Sequence, residues 1–484
     1  MKAIFKAVAA TAALATVPAF AIDSSTVPAA NQLYISGATA TDQALYQITI
    51  LATNGICEPG TADVYIDTDG LQATDANDQF MVACEGRAGS SVAGQNILIA
   101  KESNGGSNNG TRNVARSIPL DFIDPQAPTC ATTGIAIPAG GALAAYTLNN
   151  ECSGVAAVVP DAGVADVEAA LFSTTTPADI AALQADPLFQ IIFSPAVTLN
   201  LYRALQAAQG LTQDDDPANV PNLTRGQLSR IFNGQAFTWD EFFTNTGAAF
   251  LPGEDVYVCR RGNDSGTQAS FAAFVLNERC NTSVTTFVAP DDLSCLAGGC
   301  DYTNAAFGGD FIFAGDGSGD VRDCLDDRFS NDLFGIGVLS TNTEINDIGA
   351  TSRQFRFIGI DGAAPTLQET ANGGYHFVTE NVLNTLRVGG PTGTVAALVN
   401  EIGSTIGTPS IIADINVDSQ NPGGDHGILG RANGITIVEN PAPVSIGDMR
   451  SNPVSSFARD VGGSTNNCEP VVATPFSQII GGGQ

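Results

Sequence analysis

Three times along this chain, an apolar run of strand character ends in a loop of small polar residues and passes at once into a helical pattern. That repetition leaves few folds open. Leu33-Tyr34-Ile35 leads through Ser36-Gly37-Ala38-Thr39-Ala40-Thr41-Asp42 into Ala44, Leu45, Ile48 and Leu51 at helical spacing. Asn96-Ile97-Leu98-Ile99 leads through the polar, glycine-rich stretch 102–110 into a helical pattern at Thr111–Ala115. Val256-Tyr257-Val258 leads through Arg260-Arg261-Gly262-Asn263-Asp264-Ser265-Gly266-Thr267 into Phe271, Phe274 and Val275. Strands alternating with helices through small-residue loops predict an α/β fold with largely parallel sheets.

The third unit carries the most chemistry. Arg261 offers a planar fork of donors, and the first backbone N–H groups of a helix opened by Ser265-Gly266-Thr267 have no intrahelical acceptor. Together with the Ser265 and Thr267 hydroxyls they can surround an oxyanion. An ordinary Ser/Thr cap beside a surface arginine would use the same residues.

The first 21 residues read as a secretory signal peptide. Lys2 and Lys6 precede an apolar core from Ala7 to Val17, and Ala19-Phe20-Ala21 is a small-x-small cleavage site. No later apolar run reaches the roughly 18–20 residues that span a bilayer. The expected mature chain is an acidic, exported protein, periplasmic or secreted, with 18 basic against 50 acidic side chains. Such a surface repels nucleic acid and anionic lipid. It leaves an anion ligand open, because charges beyond roughly 8 Å are screened from a buried site.

All ten cysteines lie beyond the leader, and an even count in an exported chain predicts disulfides rather than a metal site. Only His376 and His426 are available and there is no CxxC pair, so no metal and no cofactor are expected. Connectivity does not follow from sequence. Sequential pairing is the simplest expectation, and a Cys259–Cys280 bridge would then staple the strand before Arg261 to the helix after it, worth roughly 3 kcal/mol by loop entropy. Residues 52–94 and 117–152 hold four cysteines and many turn formers and read as disulfide-pinned decoration. The pattern from Pro177 to Leu188 is helical, with Ile191-Ile192-Phe193 a strand ending at Ser194-Pro195. Asp67-Thr68-Asp69-Gly70 and Asp316-Gly317-Ser318-Gly319-Asp320 look like pieces of calcium loops but lack the complete ligand pattern, and read as solvated turns.

Several segments, in order, resemble the periplasmic phosphate-binding proteins of ABC transporters. They are Ser36–Thr41, Gly106–Gly110, Val164-Ala165-Asp166, the stretch from Leu228 to Asp240 with its Asn233-Gly234 stop and Trp239, and the Arg-x-x-x-Ser-Gly-Thr loop at Arg261–Thr267. Phe334–Val338 and Asp361–Thr366 with Gly373 and Tyr375 continue the order. The resemblance implies a two-lobed fold of the type II periplasmic-binding-protein kind with a hinge: residues 22–195 plus 372–484 in lobe I, 196–371 in lobe II, and the ligand between them. It implies a non-catalytic binder of phosphate or a related oxyanion, with an ABC-transporter permease as partner. Thr41, Ser107, Ser265, Gly266 and Thr267 would donate hydrogen bonds, Arg261 would supply the charged fork, and Asp166 would accept a proton from the ligand.

Asp42 stands where the family usually has an aromatic residue, and Asn263 where many members place a second acid. Both would shape selectivity. An extracellular structural or adhesive protein that keeps the fold is the alternative. Catalysis finds no support, because there is no Gly-x-Ser-x-Gly elbow and neither histidine sits in a nucleophile setting.

Overall fold

The computed structural model describes residues 22–51, 53–67, 79–126, 130–132, 149–242, 246–276, 312–343, 353–416, 424–430 and 446–455, with isolated shorter stretches up to 473. The leader, the segment 68–70 and Cys280, Cys295 and Cys300 lie outside the described residues. No helix among the described residues is long and apolar enough to cross a membrane.

The chain is α/β. The main sheet includes β1 (Gln32–Gly37), β2 (Asp63–Asp67), β3 (Phe80–Glu85), β4 (Asn96–Glu102), β5 (Cys130–Thr132), β6 (Asn149–Cys152), β7 (Ala162–Ala165), β8 (Leu183–Thr198), β9 (Tyr257–Arg261), β10 (Ile312–Gly315), β11 (Gly335–Ser340), β12 (Phe355–Phe357) and β13 (Val378–Leu386). They lie in the order β10-β9-β11-β8-β13-β7-β1-β4-β3-β2-β6-β5, with β12 also on β8. Toward the middle β4, β1 and β7 run parallel, and at one end β10, β9 and β11 do the same. Between the two parallel sets, β8 and β13 pair antiparallel.

Strand β8 joins the two parallel sets, which mark the two halves of the sheet. Its residues from Leu183 to Ile192 pair with β13, while Phe193 to Val197 pair with β11. A strand buried on both faces reads as continuous apolar sequence, and from Leu188 onward every residue of β8 is buried. The helix expected over 177–188 stops at Ala182, and the strand starts at Leu183. Pro187 is the reason, since its ring in a helix interior would meet the carbonyl four residues back. Here it sits beside a register shift between Pro187 and Gln190, where the missing N–H costs little.

The segments expected as decoration extend the sheet. β3 pairs with β4 and is tied to the preceding loop by Cys57–Cys84, and Cys130–Cys152 joins β5 to β6. Sequential pairing fails at the third bridge, where Cys259 on β9 bonds Cys324. Cys324 lies on the helix α5 (Ser318–Ser330), which packs against β9, β10 and β11. In the chain-entropy model a closure of this span is worth about 4 kcal/mol. Cys468 is also disulfide-bonded, to a partner outside the described residues.

Helix α1 (Asp42–Ile50) follows β1 after a single 3-10 turn. Helix α2 covers 106–116, two short α segments around a π turn at Asn109–Asn113. It starts earlier than the sequence pattern predicts, because Gly105 takes a left-handed φ of 74° that lets Ser107 enter the first turn. Helix α3 (Arg225–Phe232) carries a Thr224/Gln227 capping box and buries Leu228, Ile231 and Phe232. Helix α4 covers 266–276 and begins at the Ser265 cap.

Candidate functional site

The loops at the carboxyl ends of the parallel strands from both halves converge on one buried cleft. Residues 38–42 follow β1, 103–107 follow β4, Asp166 follows β7, 262–267 follow β9, and 316–318 follow β10. This is where open α/β sheets bind ligands, since strand ends there leave helix N-termini and backbone amides facing one space.

Close backbone packing sets the first-half wall. A Cβ on Gly110 would lie 2.2 Å from the Val164 carbonyl oxygen, and one on Gly163 would lie 2.1 Å from the Gly110 carbonyl oxygen. With no side chains between them, α2 presses onto β7, and the Asp166 N–H donates to Ser107 Oγ at 3.2 Å. Asp166 is 2% exposed. Its Oδ2 accepts from the Thr267 hydroxyl at 3.4 Å, across the cleft, and its Oδ1 has no partner. Burial pushes the Asp166 carboxyl up to about 6, with Arg261, Ser107 and Thr267 pulling it partway back.

Arg261 ends β9 and is equally buried. Its Nη1 donates to Ser318 Oγ at 2.9 Å and to Thr39 Oγ1 at 3.3 Å, and its Nη2 donates to the Asp316 carbonyl. Its Nε has no partner. Burial lowers the Arg261 pKa, while Asp166 first, then Asp320, Asp316 and Asp42, favour the charged form. Beyond it, the Ser265 side chain accepts from the Gln268 N–H at 3.4 Å and keeps its own proton to donate. The amides of Gly266 and Thr267 open α4, where no intrahelical acceptor exists. Gly266 lets the halves pack tightly here, since a Cβ there would lie 2.3 Å from Ser107 Oγ and 2.8 Å from Asp166 Cβ. Asn108 also bridges the halves, donating to the Asp264 carboxylate at 2.8 Å.

The structure thus brings Ser107, Asp166, Arg261, Ser265, Gly266 and Thr267 together. Three other residues singled out from sequence sit differently. Thr41 is buried, but its hydroxyl donates to the Ala38 carbonyl at 2.7 Å, closing the 3-10 turn, and Thr39 is the hydroxyl against Arg261. Asn263 is exposed, and its side-chain oxygen accepts from Arg260 at 2.7 Å. Asp42 forms a fully buried ion pair with Lys101 at 3.0 Å and accepts from Ser103 at 2.6 Å, so its charge is compensated within the fold. Burial raises the Asp42 pKa, against the pull of Lys101.

Sequence reasoning missed Lys101, Thr39 and Ser318. Lys101 Nζ donates to the Gly37 and Glu102 carbonyls and to Ser103 Oγ, which ties the β1 and β4 loops together. The 316–320 loop, expected to be a solvated turn, instead has Gly317, Ser318 and Gly319 buried behind Arg261. It follows β10 in the same strand, small loop, helix order as the three units recognised at the outset, and that order was the available signal.

No protein-family model matches the chain, and no curated protein does. Solved structures similar in outline include a Clostridium perfringens chain described as a phosphate ABC transporter substrate-binding protein with bound phosphate, at 13% identity and TM-score 0.40, covering 80% of this chain and 98% of that one. PstS from Borrelia burgdorferi matches at 11% identity and TM-score 0.34, over 83% of this chain and 98% of that one. An ABC-type phosphate transport receptor from Vibrio cholerae matches at 16% identity and TM-score 0.30, over 50% of this chain and 74% of that one. At such scores, what the cleft can bind is read from its own residues.

Proposed function

We propose that this chain is an exported, non-catalytic binding protein for a protonated tetrahedral oxyanion of the phosphate class, held between the two halves and passed to an ABC-transporter permease. The halves divide near residues 195 and 371, a division supported by the change of partner along β8 at Phe193. The carrying observation is a buried carboxylate in electrostatic reach of a buried guanidinium from the other half, with Ser107 and Thr267 bonded to that carboxylate residue and Ser265 capping the helix that Thr267 opens.

A tetrahedral oxyanion brings many lone pairs, which hydroxyls, amides and a guanidinium satisfy. Asp166 Oδ1, buried without a partner, is satisfied when the ligand supplies a proton. Phosphate near neutral pH carries one and sulfate does not, so Asp166 discriminates by penalising the anion that leaves two bare oxygens face to face. Micromolar binding corresponds to about −8 kcal/mol, within reach of a few charge-assisted bonds after ordering costs. Arg261→Ala should abolish phosphate binding in calorimetric titration while leaving the thermal transition intact. Phosphate affinity within threefold of wild type in that variant would refute the assignment.

A further inference from the structure

The loop after β10 does a job that nothing at Asn263 does. Ser318 is 4% exposed and opens the 13-residue helix α5. Its Oγ lies 2.9 Å from Arg261 Nη1 and 3.0 Å from Thr39 Oγ1, a residue of the other half. Two residues earlier, the Asp316 carbonyl takes Arg261 Nη2. The guanidinium is therefore aimed from behind by residues 316–318, and the disulfide from Cys259, two positions before Arg261, to Cys324 on α5 fixes that backing to β9. Two polar atoms of the same site are buried without partners, Arg261 Nε and Asp166 Oδ1.

We propose that Ser318 is a ligand-contacting residue of the oxyanion site and determines its affinity together with Arg261. This rests on the oxyanion reading above. A hydroxyl has one proton and two lone pairs. Ser318 accepts from Arg261 Nη1 with a lone pair, so its proton is the part that can turn. The Thr39–Ser318 bond can run in either direction and uses one of the two hydroxyl protons; with an oxyanion in the cleft both protons can turn to ligand oxygens while each oxygen still accepts from Arg261 Nη1. The Thr39–Ser318 contact across the cleft becomes two contacts to the ligand, one from each half, so binding and closure are coupled at these two side chains. The 316–320 loop also carries Asp316 and Asp320, whose negative charge favours Arg261 in its ionised form. An anion is welcomed at the guanidinium and the hydroxyls and opposed elsewhere on the loop.

The test is calorimetric titration of the exported chain with inorganic phosphate and with sulfate, in wild type, Arg261→Ala, Ser318→Ala, Ser318→Thr and Asn263→Ala, alongside thermal unfolding with and without phosphate. Loss of one hydrogen bond to a charged group weakens phosphate binding by roughly ten- to a hundredfold in Ser318→Ala. Ser318→Thr should stay within threefold of wild type, Asn263→Ala within twofold, and Ser318→Ala should still unfold cooperatively without ligand, with a lowered midpoint because Arg261 loses a buried partner. Wild-type affinity in Ser318→Ala with binding lost in Arg261→Ala overturns the role of Ser318 and leaves the oxyanion reading standing. Weakening that Ser318→Thr fails to rescue also overturns it, because packing rather than the hydroxyl would then matter. If wild type takes up neither anion at millimolar concentration, both readings fall.

Discussion

Replacing Gly266 with alanine should separate ligand binding from folding. Gly266 belongs to the second half, and the atoms a Cβ would meet, Ser107 Oγ at 2.3 Å and Asp166 Cβ and Oδ2 at 2.8 Å, belong to the first. Ordinary contact begins at 3.4 Å. The Ser107 hydroxyl can rotate away, but Asp166 Cβ is fixed by its backbone, which cannot retreat because Gly163 already touches Gly110. The halves must therefore part by roughly half an ångström or more at this point, enough to break the 3.4 Å Thr267–Asp166 contact and to misalign Arg261. Affinity for phosphate should fall at least tenfold and up to about a hundredfold, about 1.4 to 2.8 kcal/mol. Gly266 is absent from the positive-φ residues, so alanine suits its backbone, and a helix gains up to about 1 kcal/mol from the exchange. The thermal midpoint should hold or rise. Gly226→Ala on α3, where a Cβ would meet only Thr224 Oγ1 at 3.9 Å, is the control and should leave affinity unchanged. Titration and thermal unfolding of both variants decide the matter. Phosphate affinity within twofold of wild type in Gly266→Ala would refute the reasoning.

Asp166→Asn should narrow the preference for phosphate over sulfate, and in wild type the same ratio should narrow as pH falls below about 6 and Asp166 becomes a donor; a ratio constant from pH 5 to 8 would remove Asp166 from the site. Burial raises Asp166 to about 6 and Glu102 to about 7, so the stability each contributes is present below its unfolded pKa and is lost as pH rises through the folded one. Ligand-free unfolding free energy should thus fall between about pH 4 and 7, by up to about 3 kcal/mol per group, and urea melts of Glu102→Gln should lose part of that slope. Asp42→Phe should destabilise the protein by about 3–5 kcal/mol by stranding Lys101, and Lys101→Met in the same chain should restore most of it, with denaturation midpoints as the readout. Alkylation without reductant should leave Cys57, Cys84, Cys130, Cys152, Cys259, Cys324 and Cys468 unmodified by peptide mass mapping.

What could be read from sequence was what depends on neighbours along the chain. The Val256–Val275 unit folds as its pattern predicts, because a strand, a serine cap and an apolar helix face are each set within a few residues. Ser107 and Asp166 could be singled out by resemblance, but their contact depends on Gly110 meeting Val164, a fit between distant backbones. The Asp42–Lys101 pair, the Cys259–Cys324 bridge and the seat of Arg261 on Ser318 join residues far apart in the chain, and no local period reports them. Asn263 misled for the same reason. Successive residues on a strand face opposite ways, so two adjacent arginines compete for a loop residue, and Arg260 takes it.

The most direct test of the central claim is a crystal of the exported chain grown with arsenate, a tetrahedral oxyanion with phosphate's protonation and a strong anomalous signal. An anomalous peak should lie between Arg261 and the Ser265–Thr267 turn, within hydrogen-bond reach of Ser107 and Asp166. A closed cleft at millimolar arsenate, with no peak there and Arg261 still seated on Thr39 and Ser318, would contradict the account.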